Sequence, residues 1–292
     1  MNTLPPHVYH FSGIKNGPTV VIIGAMHGDE RVGAHVIKML KEELITEKIC
    51  GEIYLIIGNP KAYEKNVRFI DADLNRLFGE DFDQIAKKNI RHLTGEEKRA
   101  LEIAPILAKA DYLLDIHSTI KKSVPFIYIK NSPNHCALAQ FFGTKFIVSP
   151  LSTCQGKTLY SSADNFVDKN NGTGITYEAG WHKDEAIFAH ALSVTKQFLK
   201  KIGSAYTSFT SDESAGGSAS PKHIFIYQEI IAQTEKFIFS QDFKNFDFLS
   251  GGATLAIDGD KPLVIEQDSY IVFPKIIINA GMTACYLARE HV

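Results

Sequence analysis

Residues 19–57 read TVVIIGAMHGDERVGAHVIKMLKEELITEKICGEIYLII, and this stretch decides the fold class. Residues 19–25 are apolar and rich in β-branched side chains, which is typical of a strand buried on both faces. Apolar residues then recur with helical spacing over about 30–48, and residues 53–57 form a second buried run. A strand, a helix and a strand in this order form a βαβ unit, which predicts a mainly parallel sheet.

The rest of the chain continues this pattern and then changes character. We predict further strands at 112–117, 124–129, 146–148 and 175–178, and helices at 94–110 and 185–200. Small polar residues fill 211–220, and only strand-like runs follow them. The sequence therefore predicts an α/β protein with two domains. A first domain over residues 1–204 would hold a mixed, mainly parallel sheet flanked by helices, and a smaller β-rich domain would cover 205–292.

Composition excludes several classes of protein. The 292 residues carry 31 Lys+Arg against 33 Asp+Glu, a net charge of −2, which gives no electrostatic footprint for nucleic acid or an anionic membrane. No apolar run approaches the ~18 residues of a membrane span, and no signal peptide is apparent. We therefore expect a cytoplasmic protein that binds neither nucleic acid nor a membrane. The sequence leaves open whether it forms a homo-oligomer.

The cysteines do not indicate a metal site or a disulfide framework. Cys50, Cys136, Cys154 and Cys285 are scattered and contain no CxxC pair. This spacing predicts reduced thiols and argues against a four-cysteine zinc site.

Polar side chains follow the ends of the predicted strands, where parallel sheets form their sites. His27 and Glu30 come after the first strand, and their spacing lets an imidazole and a carboxylate converge on one metal ion. His117 ends a strand that we expect at a neighbouring sheet position. Two histidines and one carboxylate, with a fourth position left to water, make up a catalytic zinc site. Glu178 ends a later strand, where a base could reach the reacting water.

Each of these features also has an ordinary structural explanation. The HxxE spacing occurs by chance in many helices, His117 could be a hydrogen-bonded core histidine, and Glu178 could pair with a lysine. Asp29 and Asp115 adjoin the histidines and are candidates for orienting the imidazoles. A phosphate loop is poorly supported, because neither GxGxxG nor GxxxxGK[ST] occurs.

The polar stretch over residues 58–78, GNPKAYEKNVRFIDADLNRLF, favours the metal site over these alternatives. Arg68, Asn75 and Arg76 suit a substrate that bears a carboxylate, because guanidinium groups bind carboxylates through paired hydrogen bonds. For either arginine taken singly, a solvated charged loop is the competing interpretation.

Four segments in this order and spacing resemble the succinylglutamate desuccinylase/aspartoacylase family: GAMHGDE, GNPKAYEKNVRFIDADLNRLF, LLDIHST and TYEAG. The family has the zinc carboxypeptidase fold, so the resemblance implies that fold for the first domain. It covers about residues 19–200 clearly, whereas the C-terminal part shares only its β-rich character.

The resemblance implies a role for each candidate position. One Zn²⁺ per chain would be held by three ligands, His27, Glu30 and His117. Glu178 would be the general acid/base, and Arg68 would polarise the scissile carbonyl. The substrate carboxylate would be held by Asn75 and Arg76.

The chain departs from the family pattern on the acyl side of the substrate. Asp168 stands where aspartoacylase has an arginine, ten residues before the catalytic glutamate, that binds the acyl-side carboxylate. A C-terminal tyrosine that touches substrate has no clear counterpart near Ile278 or Asn279. We therefore predict a preference for neutral or cationic acyl-amino acids, although Lys157 and Lys169 lie close enough in sequence to supply a positive charge.

The leading functional prediction is a zinc-dependent amidohydrolase that cleaves the linear amide of a small N-acyl amino acid. A zinc carboxypeptidase acting on small peptides could use the same centre, but the β-rich domain argues mildly against it, because in the family this domain narrows the entrance. A binding protein that kept the fold without turnover is a third interpretation. All four chemical positions are filled, which favours an enzyme.

Overall fold

A computed structural model of the chain describes residues 4–151, 154, 161–205 and 220–290. Its strands are β1 (Val8–Ser12), β2 (Lys15–Gly24), β3 (Cys50–Ile57), β4 (Tyr112–Thr119), β5 (Phe126–Tyr128), β6 (Phe146–Pro150), β7 (Thr173–Trp181), β8 (Lys222–Ile231), β9 (Phe237–Phe239), β10 (Phe248–Leu249), β11 (Thr254–Asp258), β12 (Lys261–Val264), β13 (Ser269–Val272) and β14 (Thr283–Glu290). Its helices are α1 (Arg31–Glu43), α2 (Pro60–Lys65), α3 (Phe82–Lys87), α4 (Gly95–Leu107), α5 (Pro133–Ala139), α6 (Ala163–Lys169) and α7 (Ala186–Lys201). The predicted polar stretch at 211–220 lies outside the described residues except for Ser220.

The predicted βαβ unit forms, with β2 lying between β3 and β4 in the sheet. Val20 and Ile22 pack into the core that contains α1 and α7, whereas Val21 and Ile23 pack into the core that contains α4 and α6. Side chains alternate between the two faces of a strand, so a strand covered on both faces must be apolar at every position. This burial explains the continuous apolar run.

The prediction of an α/β fold is confirmed. Helices flank a mixed sheet of eleven strands in the order β1-β3-β2-β4-β7-β5-β6-β8-β14-β13-β10, and β12-β11-β9 form a smaller sheet. Strand β4 pairs in parallel with β2 on one side and with β7 on the other. The carboxyl ends of these three strands therefore meet at one edge, and His117 is aligned with Glu178 in the register of β4 and β7.

Four of the C-terminal strands extend the same sheet, whereas β9, β11 and β12 form the smaller one. Strand β8 pairs in parallel with β6, and β14, β13 and β10 follow in antiparallel order. The domain boundary at 204/205 stays a prediction, with the sheet continuous across it. Among the described residues, no helix combines the length and apolarity needed to cross a membrane.

The polar stretch after β3 is more regular than the sequence indicates. It contains α2 and a 3-10 turn at Leu74–Arg76. These elements span at most two turns, so their apolar spacing is too short to register as a helical period. Side-chain caps mark them instead: Asn59 accepts the N–H of Ala62, and Asp73 accepts the N–H of Asn75. None of the four cysteines, all of which the structure describes, forms a disulfide bond.

Candidate active site

Three side chains meet at the carboxyl ends of β2 and β4. His27 follows β2, Glu30 directly precedes α1, and His117 lies in β4. One potential ligand atom from each residue lies within 4.8 Å of the other two, and none of the residues is more than 4% exposed. This cluster could hold a metal ion, and it consists of the three residues that the spacing predicts.

Tight backbone packing fixes the loop that carries His27 and Glu30. Gly28 donates its N–H to the carbonyl oxygen of Arg68 at 3.1 Å. A Cβ on Gly28 would lie only 2.1 Å from the carbonyl carbon of Ala62 in α2, so this close approach requires glycine. The loop of the cluster and the loop of Arg68 are therefore held against each other.

Both imidazoles have the same arrangement of carboxylates around them. The Nδ1 atoms of His27 and His117 lie 2.8 and 2.9 Å from the two oxygens of Glu30. Behind the rings, His27 Nε2 lies 3.0 Å from Asp73, and His117 Nε2 lies 3.0 Å from Asp115 without the angle of a hydrogen bond. Carboxylates in this position fix the orientation and tautomer of metal-binding imidazoles.

The proposed role of Asp29 is wrong, whereas that of Asp115 agrees with the geometry. Asp29 Oδ1 is buried without a hydrogen-bond partner among the described residues, and Asp73 occupies the position behind His27. Asp73 also caps the turn that follows it. Aspartate before a short polar turn is a capping signal, but no local pattern connects it to a histidine 46 residues earlier.

The electrostatics of the cluster favour a bound cation. Burial alone would raise the pKa of Glu30, but His27 and His117 hold this pKa well below its ordinary value. Burial alone would lower the pKa of His117, but Asp115 and Glu30 hold it well above its ordinary value. A metal ion would take the place of the proton that these carboxylates stabilise. Two imidazole nitrogens and one carboxylate fit the donor set of catalytic zinc.

Glu178 lies beside the cluster on the neighbouring strand. It is buried at 8% exposure, it lines the pocket, and its Oε2 has no hydrogen-bond partner among the described residues. Burial raises the pKa of Glu178 to about 7, against the opposing influence of His117. A carboxyl group with this pKa can accept and return a proton near neutral pH.

The loop after α2 brings Arg68 to the rim of the cluster. Its guanidinium donates to Glu30 Oε1 at 3.3 Å and to Asp73 Oδ2 at 3.4 Å, and the side chain is 31% exposed. These long contacts leave the guanidinium facing the pocket that it lines. It can therefore donate to an oxygen atom that lies near the metal cluster.

Glu96 in α4 supports the loop of Arg68 from below. Its buried carboxylate accepts the N–H groups of Ile70 at 2.7 Å and Asp71 at 3.2 Å, and an amide hydrogen of Asn59 at 3.1 Å. Thr94 and Glu97 form a capping box at the start of this helix. The loop is thus anchored by charged hydrogen bonds to a regular helix.

Asn75 and Arg76 enter the pocket from the 3-10 turn that Asp73 caps. The side-chain oxygen of the buried Asn75 accepts the N–H of Ala163 at 3.1 Å, which leaves its NH₂ group for a ligand. An amide donor and a guanidinium on adjacent residues can bind one carboxylate. The structure thus brings all seven predicted site residues to one pocket.

The C-terminal region forms one wall of this pocket. It contributes Asn245, Phe273, Pro274, Lys275, Ile276 and Tyr286. Neither Lys275 nor Tyr286 is among the predicted site residues, because nothing in the local sequence distinguishes them from ordinary strand and loop residues. Ile278 lines a neighbouring groove instead, and Asn279 is exposed.

The expectation that Asp168 faces the acyl side of a substrate is wrong. Its Oδ1 accepts hydrogen bonds from His135 and from the N–H of Gly174, both at 2.8 Å. Gly174 lies near the amino end of β7, whereas the pocket lies at the carboxyl end, so α6 carries residue 168 away from the site. Lys169 is exposed, and Lys157 lies outside the described residues. The predicted preference for neutral or cationic acyl groups therefore loses its basis.

Comparison with known proteins agrees with this arrangement. Residues 16–204 match the family model described as the succinylglutamate desuccinylase/aspartoacylase catalytic domain. The succinylglutamate desuccinylase of Burkholderia orbicola is 24% identical over 291 residues, which cover 93% of this chain and 81% of that protein. The probable aspartoacylase of Nostoc sp. is 29% identical over 191 residues. That match covers 63% of this chain and 62% of the relative, less than two thirds of its length.

The overall fold is also found among solved structures. A succinylglutamate desuccinylase from Vibrio cholerae superposes with a TM-score of 0.74 at 18% identity, over 97% of this chain and 85% of that one. At this level of identity the likeness establishes the shared fold.

Proposed function

This chain belongs to the succinylglutamate desuccinylase/aspartoacylase family, and from that premise we propose that it is a zinc-dependent hydrolase of N-acyl amino acids. Members of the family are deacylating hydrolases that act on amides. The observation that carries the proposal is the convergence of His27, Glu30 and His117 beside the buried, unpartnered carboxyl of Glu178. The products would be a carboxylate and an amino acid.

Zinc would be held by His27, Glu30 and His117. When bound, zinc supplies a positive charge that acidifies water and polarises the amide carbonyl. Asp73 and Asp115 keep the two imidazoles turned so that both Nδ1 atoms face Glu30.

Glu178 would perform the proton transfers. In its ionised form it takes a proton from the attacking water, and it then returns that proton to the leaving nitrogen. Burial raises the pKa of Glu178 to about 7 in the metal-free protein, and this effect of burial favours uptake of the proton from water.

The remaining side chains would hold the substrate. Arg68 donates to the carbonyl oxygen as negative charge develops on it, which stabilises the transition state more than the ground state. Asn75 and Arg76 hold the carboxylate of the amino-acid part, with its amide nitrogen directed toward Glu178.

The C-terminal region forms one wall of the pocket, and this wall favours a small substrate over an extended peptide. The test measures hydrolysis by the zinc-loaded protein. It compares the rates on N-acetyl and N-succinyl amino acids with those on dipeptides and tripeptides. We expect turnover of at least one acyl amino acid, and loss of that turnover after chelation with recovery on adding zinc. Hydrolysis of the peptides alone would establish a carboxypeptidase instead, and zinc binding without any turnover would indicate a binding protein.

A further inference from the structure

A second concave surface, which we call the lysine groove, adjoins the active-site pocket. One wall contains Lys122, Trp181 and Lys183, which lie at and beyond the carboxyl ends of β4 and β7. The other wall contains all three residues of β9, Phe237–Phe239. The groove thus lies between the strands that carry the site and the smaller C-terminal sheet.

Strand β9 presents its edge to the lysine groove. It is the last strand of the smaller sheet and, among the described strands, pairs with β11 alone. Successive side chains of a strand point to opposite faces, yet three consecutive residues line the groove, so the groove follows the edge rather than one face. An edge strand offers unpaired N–H and C=O groups to a further strand. The sequence Phe-Ile-Phe contains neither the charged residue nor the proline that commonly protects such an edge.

Hydrogen bonds hold the two walls in a fixed shape. Lys121 Nζ, which also lines the groove, donates to Asp242 at 2.6 Å and to the carbonyl oxygen of Phe243 at 3.1 Å. These bonds tie the segment after β4 to the C-terminal region. The indole N–H of Trp181 donates to the carbonyl oxygen of Ile120 at 3.0 Å. A partner would therefore meet a preformed surface, which reduces the ordering cost of binding.

The charge of the lysine groove is almost entirely positive. Lys122, Lys183 and Lys244 line it and form no ion pair with any residue that the structure describes. Asp242 is the single acid among its described lining residues, and it already pairs with Lys121. Such a surface attracts an acidic partner and disfavours a basic one.

Large apolar side chains lie beside these lysines. Ile238 is 68% exposed and Ile276 is 63% exposed, and both line the groove together with the half-buried Trp181. Lysines alone would suit any small anion. The mixture of lysines and apolar side chains along a strand edge suits an extended chain in which acidic and apolar residues alternate.

We propose that the lysine groove docks an extended acidic segment of another protein, which adds to β9 as a further strand. Main-chain hydrogen bonds to β9 contribute affinity, and acidic side chains at alternate positions meet Lys122, Lys183 and Lys244. A second copy of this chain fits less well, because a two-fold contact at this surface brings one set of lysines toward the other.

The docked segment would lie at the entrance of the active-site pocket. The groove and the pocket share four lining residues, Ile120, Lys121, Lys275 and Ile276. The inference concerns a partner protein, and its test measures binding without turnover. Its outcome is therefore independent of the proposed hydrolase activity.

Selection from random peptides tests the proposal on the full chain. Displayed peptides of about ten residues, long enough to span the edge of β9, are selected in parallel on three proteins. These are the wild type, the charge-reversed variant Lys122→Glu/Lys183→Glu and the control Lys98→Glu/Lys109→Glu. The control changes two exposed lysines that line neither the groove nor the pocket. Circular dichroism and thermal unfolding verify that all three proteins are folded.

We expect the wild type and the control to enrich peptides in which Asp or Glu alternates with apolar residues. Charge reversal should weaken the binding of these peptides at least about tenfold, the usual worth of a charged hydrogen bond. Trp181 provides the readout, because it is the single tryptophan of the chain and lines the groove. Titration with a selected peptide that lacks tryptophan should change its emission.

Methylation of the peptide backbone tests the pairing with β9. N-methyl groups at every second residue remove the hydrogen-bond donors along one edge of a strand. Of two versions of a selected peptide, methylated at odd or at even positions, only one presents its methyl groups to β9. That version should lose binding at least about tenfold, and the other should keep it.

Four results overturn the inference. No peptide prefers the wild type to the charge-reversed variant, or the enriched peptides are neutral or basic. The two methylated versions bind equally well or equally poorly, which excludes strand addition. Sedimentation shows that the wild type forms a dimer that Ile238→Asp dissociates, which makes a second copy of this chain the occupant of the groove.

Discussion

Replacing Glu178 with glutamine should remove turnover and, in the metal-free protein, stabilise the fold at alkaline pH. Glutamine has nearly the same shape but cannot accept the proton of the attacking water. We expect kcat to fall by a factor of order 10²–10⁴, the usual contribution of general acid/base catalysis, with zinc content unchanged.

The stability effect follows from the raised pKa of Glu178. The pKa is about 7 in the folded protein against an ordinary value of 4.5. Because the folded value is the higher one, the contribution of the neutral carboxyl to stability is fully present below about pH 4.5 and is lost as the pH rises through about 7. At about 1.36 kcal/mol for each pH unit between these values, the loss amounts to about 3 kcal/mol.

Urea unfolding of the metal-free proteins measures this difference. At pH 8 the Glu178→Gln variant should gain about 3 kcal/mol relative to the wild type, and at pH 5 less than about 1 kcal/mol. Glu235→Gln, which changes an exposed glutamate of the C-terminal region, serves as the control and should show no such pH dependence. Near-normal turnover in Glu178→Gln would show that another residue moves the proton. An equal stability change at both pH values would refute the burial of an unpartnered carboxyl.

Variants at three further residues test the groups that hold the substrate, the loop and the metal ligands. Arg76→Lys should lower kcat/KM by about tenfold or more, because lysine cannot form two parallel hydrogen bonds to a carboxylate, and Arg76→Ala should lower it further. The control is a substrate analogue in which an amide replaces the carboxylate. Substitution of Arg76 should lower kcat/KM less for this analogue than for the substrate itself. Glu96→Gln should reduce the free energy of unfolding by about 2 kcal/mol and also lower kcat/KM, because it weakens the charged hydrogen bonds that hold the loop of Arg68; unchanged thermal unfolding would contradict this. Asp73→Asn should weaken zinc binding about 10- to 100-fold in competition with a chelator, because the imidazole of His27 loses its carboxylate partner.

The residues of the cluster could be predicted because local sequence and sheet topology determine their positions together. The buried runs that become β2, β4 and β7 are visible as apolar stretches, and parallel strands end at a common edge. His27, His117 and Glu178 each follow or end such a run, so their convergence follows from the strand order. The register of β4 and β7 aligns His117 with Glu178, so the pairing of these two strands places the two residues side by side.

The residues that escaped prediction reach the site by other routes. Asp73 contacts His27 through a loop whose path depends on the hydrogen bonds of Glu96, and no periodic pattern encodes that path. Lys275 reaches the pocket only because β8 and β14 extend the sheet past β6. Counting residues back from Glu178 placed Asp168 in the site, but Asp168 lies in α6 beside the amino end of β7, away from the pocket.

Diffraction from zinc-loaded crystals at the zinc absorption edge tests the central claim most directly. The account predicts one anomalous peak per chain, bound by Nδ1 of His27, Nδ1 of His117 and the carboxylate of Glu30 at about 2.0–2.2 Å. A peak at any other group of side chains, or no peak at this cluster after zinc is added, would contradict it.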